Sequence, residues 1–177
     1  MKKKIGGSVL ELTVGDIVKQ KTEAVVNAAN KQLAPGGGVA GAIHKAAGPG
    51  LWEECKKLGG CETGEAKITS GHNLKSKYII HTVGPVYKNR QSDQINLKKS
   101  YLNSLKLATQ NNIKSISFPA ISSGIFGYPK EEASKIALET IIDYLKNPQS
   151  NIEIVRLVLY NQDDFKIFKE TLDNYSK

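Results

Sequence analysis

The chain has 177 residues, enough to bury a sizeable core in one domain and too few for two full ones. Its 25 Lys and Arg against 17 Asp and Glu leave a formal net charge of +8, which suits an anionic partner, nucleic acid and pyrophosphate alike. No run approaches the roughly 20 apolar residues of a membrane-spanning helix, and no apolar signal core follows the basic Met1–Lys4. A monomeric, cytoplasmic protein of one domain, residues 1–177, with no membrane association is therefore expected. Cys55 and Cys61 match neither a C-x-x-C redox pair nor a four-ligand zinc pattern, so reduced thiols are expected.

Ser8 to Val14 alternates apolar and polar residues, and Ala24 to Ala29 is a short apolar run ending in Asn30; both predict strands. Gly36-Gly37-Gly38 breaks the chain, and Val39 to Ala47 then has helical spacing. Gly48-Pro49 stops it, and a second short helix follows through Leu58. Ala66 to Thr69 and Tyr78 to Val83 predict two further strands, the second closed by Gly84-Pro85. Ser92 to Asn111 presents Leu97, Tyr101, Leu105 and Ala108 on one face of a helix, before a strand from Ser115 to Phe118. Pro129 to Lys146 is the clearest helix, with Glu131 and Glu132 at its positive end and Pro148 beyond it. Ile154 to Tyr160 predicts a buried strand, and Phe165, Phe168 and Leu172 mark a last helix. Strands alternating with helices imply an α/β fold with a mostly parallel sheet covered on both faces.

Ligands of open α/β sheets bind beyond the carboxyl ends of the strands, so loops that follow strands carry the interest. Two stand out, Asn27 to Asn30 running on through Gly36-Gly37-Gly38-Val39, and Ser122-Ser123-Gly124-Ile125-Phe126-Gly127. Glycines at the start of a helix let backbone amides approach an anion, and they also serve simply as turn residues. Neither loop has the Gly-Lys-Ser/Thr of a Walker A motif or the G-x-G-x-x-G spacing, which disfavours nucleotide kinases and ordinary dehydrogenases. His72 and His81 offer no carboxylate or thiol at convincing ligand spacing, and no metal is expected. The lone Trp52 reads as core or helix packing.

Gly15-Asp16-Ile17, Val26 to Asn30, Gly36 to Ile43, His81-Thr82-Val83-Gly84-Pro85 and Ser122 to Gly127 together resemble the macro domain family, in the family's order and over almost the whole chain. The resemblance implies a three-layer α/β/α sandwich around a mixed, mostly parallel sheet, with ADP-ribose in a cleft across the strand ends. It implies that Asp16 accepts from the adenine amino group beside the backbone of Ile17; alone, Asp16 reads equally as a cap. It further implies that Gly36, Gly37, Gly38 and Val39 line the phosphates and distal ribose, and that Ser122, Ser123, Gly124, Ile125 and Phe126 close over the diphosphate. Phe126 is expected beside the distal ribose and Tyr160 against adenine.

For catalysis the resemblance implies Asn30 and His44. Asn30 matches an Asn that holds the distal ribose and positions water; an amide is no strong base, so the substrate's own phosphate would activate that water. His44 matches a His of the hydrolytic group, and as a lone residue it also suits helix packing. Many hydrolytic relatives carry Asp where this chain has Ala40, while some archaeal and viral members resemble it in having Ala. The Cys/His arrangement of zinc-dependent members is absent, and neither metal nor cofactor is expected. The partners implied are ADP-ribose and mono-ADP-ribosylated proteins, with RNA secondary. The leading expectation is hydrolysis of mono-ADP-ribose esters on acidic side chains, with O-acetyl-ADP-ribose and ADP-ribose 1''-phosphate as related substrates. The alternatives are a non-catalytic ADP-ribose reader and a poly(A)- or RNA-binding domain.

Overall fold

The computed structural model describes residues 1–175. Its strands are β1 (Lys2–Ile5), β2 (Ser8–Val14), β3 (Ala24–Ala28), β4 (Ala66–Ser70), β5 (Tyr78–Thr82), β6 (Ser115–Phe118) and β7 (Ile154–Leu159). The helices are α1 (Gly38–Ala47), α2 (Pro49–Lys56), α3 (Gln91–Gln110), α4 (Lys130–Lys146) and α5 (Gln162–Tyr175). The strands make one sheet in the order β1-β2-β7-β6-β3-β5-β4. Five central strands run parallel, while β1 and β4 pair antiparallel at the two edges.

Alternation along the strands sorts the core into two layers. Ala24, Val26, Ile80, Ile116, Phe118, Val155, Leu157 and Leu159 face α3, α4 and α5. Val25, Ile79 and Val158 face the other way, against Ile43 and Ala47 of α1 and Leu51 and Cys55 of α2. The result is a three-layer α/β/α sandwich around a mixed, mostly parallel sheet, as the sequence predicts. Gly48, at φ +86°, ends α1, and Pro49 opens α2 at once, which turns the chain sharply on this face.

The sequence pattern missed β1. Three consecutive lysines hide the strand, yet they suit an edge, where charge discourages pairing with another chain. The predicted strand Ala24 to Ala29 is assigned as strand to Ala28, with Ala29 N still donating to Thr82 O at 2.8 Å, and β7 stops one residue before Tyr160.

Phe118 is fully buried on β6, with its ring centroid 5.2 Å from that of Tyr101. Phe118→Ala is expected to lower the free energy of unfolding by about 3–5 kcal/mol, read from the urea midpoint at unchanged slope. A change under about 1 kcal/mol would contradict this core assignment.

Candidate functional site

The parallel register puts the carboxyl ends of β2, β7, β6, β3 and β5 side by side at one rim. In that order the loops beyond them begin with Asp16, then Tyr160, then Ser122–Phe126, then Asn30–Val39, then Gly84–Pro85. The residues singled out in the sequence thus converge on one edge of the sheet, although they come from distant parts of the chain.

Among the described residues, two segments there carry backbone N–H groups without protein acceptors. Gly37 caps α1 with extended backbone and no side-chain hydrogen bond, so the amides of the helix's first turn are left uncapped. In the second loop Gly127 N donates to Gly124 O at 3.0 Å and Tyr128 N to Ser122 O at 2.9 Å, which rolls the segment into a tight turn. Among the described residues the amides of Gly124, Ile125 and Phe126 donate to no backbone acceptor. Ser122, at φ +65°, is held by its Oγ donating to Pro85 O at 2.8 Å, and Tyr87 N donates to Phe126 O at 2.8 Å. Ser123 Oγ donates to Ala120 O. The closeness of the β5 and β6 loops requires Gly84, where a Cβ would sit 2.3 Å from Ser122 Oγ. Ile125 and Tyr160 are 89% and 88% exposed, large apolar groups left open at the rim. Phe126 is half-buried beside them.

Asp16 lies exposed at the N-cap of a 3-10 turn, Ile17–Lys19, and Oδ1 accepts from Val18 N at 3.1 Å. The cap reading of the sequence is therefore realised, and it occupies one of the two carboxylate oxygens. Ile17 is buried beneath it. Asn30 braces its own loop: Nδ2 donates to Ala34 O and Oδ1 accepts from Ala34 N, both at 2.9 Å. One donor hydrogen and one acceptor site of the amide are left for a ligand. Gly36 lies against it, with a Cβ position 3.2 Å from Asn30 Nδ2. Ala40 is buried in the first turns of α1 and supplies no polar group.

His44 sits one turn further along α1, turned into the layer between helix and sheet, with its Nε2 buried and unpartnered. This places it in packing contact with the sheet, the alternative that the sequence left open. Beneath it lies a polar group that sequence reasoning did not single out. Asn27 Nδ2 and His81 Nδ1 are 3.0 Å apart, and Thr69 Oγ1 and His81 Nε2 are 2.8 Å apart. The signal was present as polar residues inside apolar strand runs, Asn27 after Val25-Val26 and His81 after Ile79-Ile80. Burial, with the His44 charge adding to it, pushes His81 down to about 3, and burial lowers His44 as well.

Folding also brings His72 Nε2 to 2.8 Å from Glu54 Oε1, and Cys55 Sγ to 4.0 Å from His81 Nε2, pairs that linear spacing did not reveal. No group of three His, Cys, Asp or Glu side chains arranged to hold a metal occurs among the described residues. Cys55 and Cys61 are buried free thiols, each pushed up to about 11, mainly by burial. Trp52 is half-buried against the α1–α2 layer, with Lys56 Nζ 5.6 Å from its ring centroid.

Comparison with known proteins agrees with this architecture. The family model described as Macro domain matches residues 26–137. A macro domain-containing protein of Methanosarcina mazei is 54% identical over 159 residues, covering 89% of this chain and 84% of that protein. The ADP-ribose glycohydrolase MACROD2 of Xenopus laevis is 48% identical over 163 residues; these are 91% of this chain but only 39% of that longer protein. The solved Oceanobacillus iheyensis macrodomain with ADP superposes at a TM-score of 0.95 with 43% identity, covering 99% of this chain and 96% of that one. The Trypanosoma brucei macrodomain in complex with ADP-ribose superposes at 0.87 with 36% identity, covering 92% and 68%. The chain belongs to the macro domain family.

Because His81 is held neutral, the unfolded chain takes up a proton there first as the pH falls below 6.5, and the folded chain follows only near 3. Its contribution to stability is complete above 6.5 and is lost progressively down to about 3. In urea titrations the stability gap between wild type and His81→Gln should narrow across that window. A gap that stays constant from 6.5 to 3 would contradict the buried neutral assignment.

Proposed function

We propose that this chain binds ADP-ribose along the rim and hydrolyses the ester that joins its distal ribose to Asp or Glu side chains of proteins. The observation that carries the reading is the pair of unpartnered amide clusters, Gly37–Val39 at the start of α1 and Gly124–Phe126 in the loop after β6. Both clusters lie in loops that follow the adjacent strands β3 and β6. Such donors, aided by the positive end of α1, suit a diphosphate. The order of the loops supports a matching arrangement of the rest of the ligand. Asp16 and Tyr160, beyond the neighbouring strands β2 and β7, take adenine: the second carboxylate oxygen of Asp16 accepts from its amino group and the open Tyr160 ring stacks on it. Ile125 covers the diphosphate.

At the other end Asn30 meets the distal ribose with its remaining amide capacity and positions a water near the anomeric carbon. Asn30 cannot take the proton, so the ligand's phosphate accepts it, and alignment of the water supplies much of the acceleration. His44, buried one turn beyond Ala40, borders the same region. A carboxylate ester has a good leaving group and demands little acid assistance, which suits a site with so few titratable groups. The curated relatives named as ADP-ribose glycohydrolases and the ADP-ribose complex of a structural neighbour support this reading. O-acetyl-ADP-ribose and ADP-ribose 1''-phosphate would present the same diphosphate and ribose. The second reading is a module that holds ADP-ribose without turnover, and Ala40 favours it, because a methyl group stands where a base would help.

Calorimetric titration with ADP-ribose and ADP, followed by a release assay on a protein mono-ADP-ribosylated on Glu, tests the proposal. ADP-ribose should bind more tightly than ADP, and Asn30→Ala should lower release by about 100-fold or more, the scale of a lost positioning group. Tight ADP-ribose binding with no release from the wild type would establish the non-catalytic reading instead.

A further inference from the structure

The layer between α1–α2 and the sheet is mostly apolar, yet four polar side chains are buried in it: Asn27, Thr69, His81 and His44, at 1%, 3%, 0% and 7% exposure. Strand alternation accounts for their meeting. Asn27 shares a face with Val25, His81 with Ile79, and Thr69 lies opposite to the face of Ile68, so all three point toward α1 and α2. Asn27 and His81 are also cross-strand partners in the β3–β5 register.

The hydrogen bonds among them have a fixed direction. Asn27 Nδ2 can only donate, so His81 Nδ1 at 3.0 Å accepts, and Thr69 Oγ1, 2.8 Å from His81 Nε2 and 3.1 Å from Ser70 O, is left to accept from the ring and donate to Ser70 O. His81 must then carry its hydrogen on Nε2, where the Cys55 thiol at 4.0 Å is a second, weaker neighbour. His81 is neutral, so its Nδ1 is bare and accepts from Asn27 Nδ2 at 3.0 Å. The amide of Asn27 is thereby oriented, and its Oδ1 faces away from His81. That oxygen is one of three buried side-chain atoms without a partner among the described residues, and His44 Nε2 is another. One of the two can only accept. The other donates if the ring carries its hydrogen there. Two buried orphans of complementary sense, on elements that pack against each other, satisfy one another at far lower cost than each would alone.

We propose that His44 Nε2–H donates to one enclosed water that in turn donates to Asn27 Oδ1, so that the chain Thr69–His81–Asn27 sets the tautomer of His44 and leaves its Nδ1 bare. Asn27, His81 and Thr69 are then positioning residues that act through His44. A bare Nδ1 accepts a hydrogen bond from a water or ribose hydroxyl and donates none. Burial keeps the ring neutral, which preserves that acceptor at neutral pH. The consequence for turnover rests on the hydrolase reading above; the tautomer does not.

Long-range proton–nitrogen NMR on the full chain labelled with 15N-histidine reads the tautomers at neutral pH. The wild type should show a single form of both His44 and His81, each with hydrogen on Nε2. Thr69→Val removes the acceptor that starts the chain, and both rings should become tautomer mixtures. Asn27→Leu should do so for His44, with release from the ester substrate slowed about fivefold to tenfold, the worth of one hydrogen bond, at unchanged affinity for ADP-ribose. Hydrogen on Nδ1 of either ring in the wild type would overturn the proposal, as would a His44 spectrum unchanged in a folded Thr69→Val. If a variant fails to fold, the wild-type spectrum still decides. If the wild type releases no ADP-ribose, the hydrolase reading falls while the tautomers decide this one independently.

Discussion

A backbone N–H that is ordered and has no protein acceptor is costly unless water or a ligand serves it. This structure gathers two sets of them at one place. The first turn of α1 has no side-chain cap, and in the loop after β6 the amides of Gly124, Ile125 and Phe126 have no backbone acceptor among the described residues. The features around them keep these two sets in register. The two loops follow the paired strands β3 and β6, Gly84 leaves room for Ser122, and the Tyr87 and Ser122 hydrogen bonds tie the second loop to the segment after β5. The large cores on both faces serve the site by making the sheet a rigid ruler for those loops.

Much of this was legible before the fold was known, because the loops advertise themselves. Glycines in series after an apolar run, and again before a helix, occur where backbone rather than side chain must approach something. The helical pattern located the helices because each has one face in a core, and the central strands, covered on both faces, stood out as short apolar runs. The failures are equally physical. Lys2, Lys3 and Lys4 disguise an edge strand, since an edge needs no apolar face. The brace made by Asn30 depends on where Ala34 falls in space. The polar layer of Asn27, Thr69, His81 and His44 required the sheet register, because those residues lie far apart in the chain and meet only through β3, β4 and β5.

That polar layer also bears on how a site with an alanine at position 40 works. On the proposed reading, a rim that binds by backbone donors needs little from side chains, and Asn30 would contribute position rather than basicity. On the same reading, proton handling would come from the proposed single tautomer of His44, or from the ligand. Buried polar groups are retained at a cost in stability, and here the row in which Asn27 donates to His81 and His81 to Thr69 leaves Asn27 Oδ1 as its unpartnered acceptor.

The central claim is that one ligand is gripped simultaneously by both amide clusters. Backbone amide NMR during titration with ADP-ribose tests it most directly. The account predicts that the signals of Gly37, Gly38 and Val39 and those of Gly124, Ile125 and Phe126 move together, with one dissociation constant. Shifts confined to one cluster, or changes located at the opposite edge of the sheet, would contradict it.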